Sequence, residues 1–162
     1  MRALVVYESM FGNTETVAKE VAAGLAGLGE VVLVDVDVAP TDVTPYDLVV
    51  VGGPTHAFSM SRAGTRADAV KQGAPRPRVR GIREWIDQLG EVRVPVAAFD
   101  TRVDKVRRLP GSAAKKAAKS LKAHGSSVAE RPQSFYVVDT PGPLLDGERE
   151  RARRWGASLV GG

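Results

Sequence analysis

Five short apolar runs recur along the chain and constrain its fold more than any other feature. They fall at residues 2–7, 31–35, 47–51, 94–99 and 135–138 and are rich in Val and Leu. Hydrophobicity that continues through successive residues marks a strand covered on both faces, the habit of a parallel sheet. Residues 126–129 read as an edge or leading segment for the last of them. The intervening stretches change to a helical period. Val17, Val21, Leu25 and Leu28 follow at four-four-three spacing, and Ile82, Trp85, Ile86 and Leu89 at three-one-three. Further helices read over 112–123, with an alanine stripe ending in Leu121, and over 147–159, with Ala152, Trp155 and Leu159 on one side. Leu-Pro-Gly-Ser at 109–112 supplies a turn and an N-cap. The connection 36–46 holds two prolines and is too short for a full helix, so a turn is expected there. Strands alternating with helices make a three-layer α/β sandwich, in which right-handed crossovers restrict the winding.

Length and composition narrow the class. With 162 residues, a hydrophobic fraction of 43% and no run of membrane-spanning length, one domain over 1–162 with a substantial core is expected. The chain opens directly into a strand pattern without a basic start and cleavage site, which points to the cytoplasm. The absence of cysteine excludes disulfides, thiolate chemistry and cysteine-ligated clusters. Two histidines, His56 and His124, are too few for a histidine-built metal site.

The first run ends at Tyr7 and passes through Ser9-Met10-Phe11-Gly12-Asn13-Thr14 into the first helical pattern. A strand delivering a small, hydroxyl-rich turn to a helix start is a phosphate site in outline. The first backbone N–H groups of a helix lack partners, and the dipole adds about half a positive charge. Ser9 and Thr14 offer hydroxyls, Gly12 permits close backbone approach, and Asn13 suits the N-cap. An ordinary capped βα turn would show the same residues.

This segment resembles the phosphate loop of the flavodoxin family, with Phe11 standing where many members carry another Thr. The resemblance extends to Gly142-Pro143-Leu144 and the start of the last helix, and so covers essentially the whole chain. It implies a five-stranded parallel sheet in the order 2-1-3-4-5 and flavin mononucleotide (FMN) as cofactor. In that topology ligands bind outside the carboxyl ends of the strands, at the switch point between strands 1 and 3. Strand 3 delivers Pro54, Thr55, His56, Ala57 and Phe58 to that rim, and strand 4 delivers Phe99, Asp100, Thr101 and Arg102. The resemblance makes Ser9, Gly12, Asn13 and Thr14 phosphate contacts, in a loop completed by Met10 and Phe11, and sets the other two segments beside the isoalloxazine ring. Phe99 fits equally as the core end of strand 4. His56 reads either as a flavin neighbour or as a loop histidine satisfied by backbone or water, and His124 as a helix-end cap. Asp35 and Asp37 read as solvated strand-end acids, since no Gly-x-Gly-x-x-Gly accompanies them.

Other chemistries lack their residues. A receiver domain needs an acidic pair after strand 1 and an Asp ending strand 3, where this chain has Glu8 alone and Gly52-Gly53. The nucleoside-triphosphate loop is absent, and nothing places a histidine in register with Ser and an acid.

The net charge of +4 conceals an asymmetry. Residues 60–83 carry seven Lys/Arg and one acid, and residues 102–122 carry eight and one. By the crossover rule both stretches flank the same sheet face, and the long connection before Ile82, with modest helical character only over 66–72, holds much of that charge. Such a surface suits an acidic redox protein. Nucleic acid is disfavoured because no aromatic interrupts either stretch to stack on bases. The expected function is electron transfer through bound FMN. An FMN-dependent NAD(P)H:quinone-type reductase and a binding module without FMN are the alternatives.

Overall fold

The computed structural model of the protein describes residues 1–56, 58–75 and 80–160. Its strands are β1 (Arg2–Tyr7), β2 (Glu30–Asp35), β3 (Leu48–Pro54), β4 (Val96–Val103) and β5 (Gln133–Val137). All neighbours are parallel and the order is β2-β1-β3-β4-β5, as expected. The helices are α1 (Asn13–Ala26), α2 (Ala63–Lys71), α3 (Ile82–Asp87), α4 (Ala113–Ala123) and α5 (Glu148–Ser158).

Alternation along each strand explains why the apolar runs are continuous. Ala3 and Val5 of β1 pack with Val17, Val21 and Leu25 of α1 and Ala152 of α5, while Leu4 and Val6 pack on the opposite face with Trp85 of α3 and Leu121 of α4. A parallel strand between two helical layers has no solvated face. Residues 36–46 contain only a 3-10 turn at Val36–Val38, and Val128 bridges to Val96 as a lead into β5.

Two strands run further than their apolar runs. Gly52, Gly53 and Pro54 pair with Phe99, Asp100 and Thr101, and β5 carries the ladder on to Val103. The segment Phe99 to Arg102 therefore lies within β4, and the pleat decides where each side chain goes. This corrects the expectation for Phe99. Its ring is fully buried, edge-on to Phe135 and Trp155 at 6.1 Å, and fills the space opposite Gly52 that a Cβ would need.

The first helix also starts one residue earlier than read. Gly12, at φ 98°, is the N-cap, and Asn13 is the first helical residue. The long connection after β3 contains α2, which packs on the turn after β1 through Ala69, Ala74, Met10 and Phe11. Among the described residues no helix is long and apolar enough to cross a membrane. The carboxyl ends of the parallel strands share one edge, so the turn after β1, the loop after β3 and the end of β4 meet there.

Candidate functional site

A cleft opens at that edge. Met10, Phe11, Asn13 and Thr14 line it from the turn after β1, Pro54, Thr55 and His56 from the end of β3, and Thr101, Arg102 and Val103 from β4. Most of the expected site residues are thus brought together. Ala57 lies outside the described residues.

Thr101 ties the three segments. Its Oγ1 lies 2.7 Å from Thr14 Oγ1, and its carbonyl accepts the Thr55 N–H at 2.9 Å. In turn, Thr55 Oγ1 accepts the Ala113 N–H at the start of α4. One hydroxyl of the Thr14–Thr101 pair must donate to the other, leaving one proton to point elsewhere. Ser9 Oγ accepts the Gly12 N–H at 3.1 Å and closes the turn. At Gly12 a Cβ would meet open space, so glycine is required by the left-handed φ rather than by crowding. The N–H groups of the first turn of α1 remain without intrahelical acceptors beside the cleft.

His56 is set by a tight turn in which its N–H donates to the Ser59 carbonyl and Ser59 returns the bond. Its Nδ1 lies 3.0 Å from Thr65 Oγ1 of α2, leaving Nε2 as the second polar atom of the ring. Burial, with Arg66 nearby, pushes its pKa below the ordinary value, so the imidazole is neutral at pH 7. Phe58 is half exposed at φ 65°, a costly backbone for a bulky residue.

Asp100 is completely buried, and its Oδ2 accepts the Ala114 N–H at the N-terminus of α4. That position corrects the expectation of a rim contact, because the pleat turns Asp100 under α4. Arg102, two residues on, is nine-tenths buried but reaches the cleft, with Nη2 donating to the carbonyls of Val106 and Leu109, each at 3.1 Å.

Val137 and Thr140 also line the cleft and were not picked out in the sequence. Asp139-Thr140-Pro141-Gly142 leaves a strand at its carboxyl end, which was the available signal. Gly142, at φ 103°, lies against the Asn13 amide, so this loop is seated on the start of α1. A second cleft adjoins the first, sharing Phe11, His56 and Thr140 and adding Thr65, Asp68 and Gln72.

A family model described as Flavodoxin matches residues 5–99, more than half of the chain. The chain belongs to the flavodoxin family. Flavodoxin 2 from Bacillus cereus is 18% identical, with a TM-score of 0.72 and 99% of each chain covered. A flavodoxin from the domain Archaea is 17% identical at a TM-score of 0.68, with 99% of this chain and 97% of that one covered. Rubredoxin oxygen:oxidoreductase from Desulfovibrio gigas is 18% identical at a TM-score of 0.63. There the match covers 98% of this chain and 35% of that one. These identities speak to the fold. A search of curated protein sequences gave no match. As a flavodoxin-family member the protein is an FMN-binding, electron-carrying flavoprotein. The residues present fit that cofactor. The cleft is lined by hydroxyls and an amide beside an open helix N-terminus, and by Arg102, whose Nε is buried with no acceptor, with no carboxylate among the described lining residues.

Proposed function

We propose that this flavodoxin is a single-domain cytoplasmic electron carrier, with the FMN phosphate at the first turn of α1 and the ring bordered by Pro54, Thr55, His56 and the Thr101–Arg102 end of β4. The observation carrying this reading is the acid-free cleft at the open N-terminus of α1. An anion placed there gains the helix dipole and unpaired N–H donors and meets no repelling carboxylate. Gly12 and the Ser9 hydroxyl hold the turn, and the Thr14–Thr101 pair supplies a hydroxyl donor. Neutral His56 offers Nε2 to a flat polar ring without adding charge. Bound FMN supplies reversible one- and two-electron chemistry, and the protein's part is to hold and tune it.

The partner proposed is an acidic redox protein. Arg62, Lys71, Lys105, Arg108, Lys115, Lys116, Lys119 and Lys122 are exposed and form its candidate contact. Several other members of the expected basic surface are internal ties. Arg66 is buried against Glu84 and Ser61, Arg83 bonds the carbonyls of Met60 and Ser61, and Arg102 holds the turn after β4. Arg76 and Arg78 lie outside the described residues. The reductase alternative is supported by the second cleft, which could seat a small acceptor beside His56. NAD(P)H oxidation with a quinone acceptor tests it.

Fluorescence-quenching titration of apoprotein with FMN and riboflavin tests the cofactor placement. FMN is expected to bind far more tightly, because phosphate contacts provide much of the affinity. Equal affinity would overturn the assignment.

A further inference from the structure

We infer that Arg102 is a fixed positive charge set against the cofactor cleft to stabilise reduced FMN, raising the potential at which this flavin accepts electrons. The inference rests on the proposed placement of FMN in the cleft. Arg102 is only 8% exposed, and its Nη2 is held by two neutral carbonyls while Nε has no acceptor. No carboxylate among the described residues pairs with it. Asp100, on the same side of β4, bonds the start of α4, and Asp104 pairs with Arg107 at 2.8 Å. A guanidinium cannot discharge by losing its proton, so this charge persists where burial makes it costly. It is the one formal charge among the described residues lining the cleft. His56, the other titratable group there, is held neutral by burial and by Arg66.

A charge in such a place favours whichever state of the ligand is more negative near it. Oxidised FMN has a neutral ring. Two electrons from a redox partner and one proton from solvent turn the ring into a monoanion, with no bond to the protein made or broken. The phosphate is present in both states, so its attraction to Arg102 and to α1 cancels from the difference. The added ring charge does not cancel. The four-residue extension of β4 beyond its apolar run is what carries Arg102 to the cleft, and its two carbonyl ties keep the cation from swinging into water.

The test compares two-electron midpoint potentials, by dye-equilibrated spectroelectrochemistry, with FMN dissociation constants for wild type, Arg102→Gln and Arg102→Lys. Wild-type protein is expected to bind reduced FMN at least as tightly as oxidised FMN. Arg102→Gln should lose at least tenfold of its preference for reduced over oxidised FMN, which is about 30 mV for a two-electron couple. Arg102→Lys should keep most of that preference although it loosens the same turn. Thermal melts report that loosening separately, since a merely structural role lowers the melting temperature of both variants and leaves the potential alone. If Arg102→Gln fails to fold, the wild-type comparison still decides: weaker binding of reduced than of oxidised FMN would overturn the inference. Equal potentials in all three proteins would overturn it while leaving the cofactor placement standing. Failure of wild type to bind FMN would overturn both.

Discussion

At the scale of single residues, Glu8 joins segments distant in sequence. It is completely buried, with Oε1 accepting the Ile82 N–H at 2.9 Å and Oε2 accepting the Ser61 hydroxyl at 2.5 Å. Arg66 donates to the same Ser61 oxygen at 2.9 Å and pairs with Glu84, and Gly81 is pressed so close that a Cβ would overlap the carboxyl. Burial raises the Glu8 pKa above 4.5, outweighing the Ser61 and Ile82 hydrogen bonds and the attraction of Arg66, with Glu84 adding repulsion. The folded state then binds this proton more tightly than the unfolded chain. Stability from Glu8 is fully present below pH 4.5 and declines as pH rises through the elevated value. Glu8→Gln, which keeps an acceptor for Ile82, should therefore gain on wild type as pH rises from 5 to 8 in thermal melts. A gap independent of pH would rule out the linkage. Glu8→Leu strands buried donors and should cost about 1–3 kcal/mol for each. In the cleft, Thr14→Val breaks the hydroxyl pair with Thr101. Loss of one hydrogen bond to a charged group costs about 1.5–3 kcal/mol, so FMN affinity should fall roughly ten- to a hundredfold with a smaller change in apoprotein melting. Unchanged affinity by fluorescence titration would place the phosphate elsewhere.

At the scale of elements, α1 and α5 approach closely because two glycines face each other's backbones. A Cβ on Gly24 would overlap the Arg153 carbonyl, and one on Gly156 would overlap that of Val21. Alanine at an exposed helix position gains up to about 1 kcal/mol over glycine, but here the overlap is with main chain that cannot rotate away. Overpacking should win. Gly24→Ala is expected to destabilise by about 1–3 kcal/mol, or several degrees in melting temperature for a chain of this size. A higher melting temperature would show that the helices separate freely. The existence of the elements was legible because Val-rich runs without alternation leave few alternatives to a parallel sheet, whereas their order came from the resemblance to the flavodoxin family. The ends of β3 and β4 were not, since Gly52 and Gly53 have poor strand propensity and join the ladder only because Phe99 and Asp100 lie alongside. From that one extension follow the burial of Phe99 and the turn of Asp100 under α4. The phosphate turn was legible as a local pattern, whereas Thr140 enters the site by tertiary contact through a loop more than a hundred residues away.

At the scale of the whole molecule, charge is arranged unevenly about the cleft. Lys115, Lys116, Lys119 and Lys122 are exposed on α4, whose opposite side is the buried stripe Ala113, Ala114, Ala117, Ala118 and Leu121. Fixed in this way by a packed helix whose start is tied to the cleft by the Ala113 N–H donating to Thr55 Oγ1, the lysines present a steady positive field along α4. An acidic redox protein should be steered toward it, with an association rate that falls as the Debye length shortens from about 30 Å at 0.01 M salt to about 10 Å at 0.1 M. Replacing Lys115, Lys119 and Lys122 by Glu reverses the field without touching a cleft residue. The variant should keep its FMN affinity, lose at least tenfold in association rate with an acidic ferredoxin at low salt, and show little or reversed salt dependence. Stopped-flow reduction across ionic strength measures all of this, and a duplex-DNA binding control separates a protein partner from a nucleic acid. A reduction rate indifferent both to salt and to the triple substitution would make the lysines a solvated helix face with no part in electron transfer.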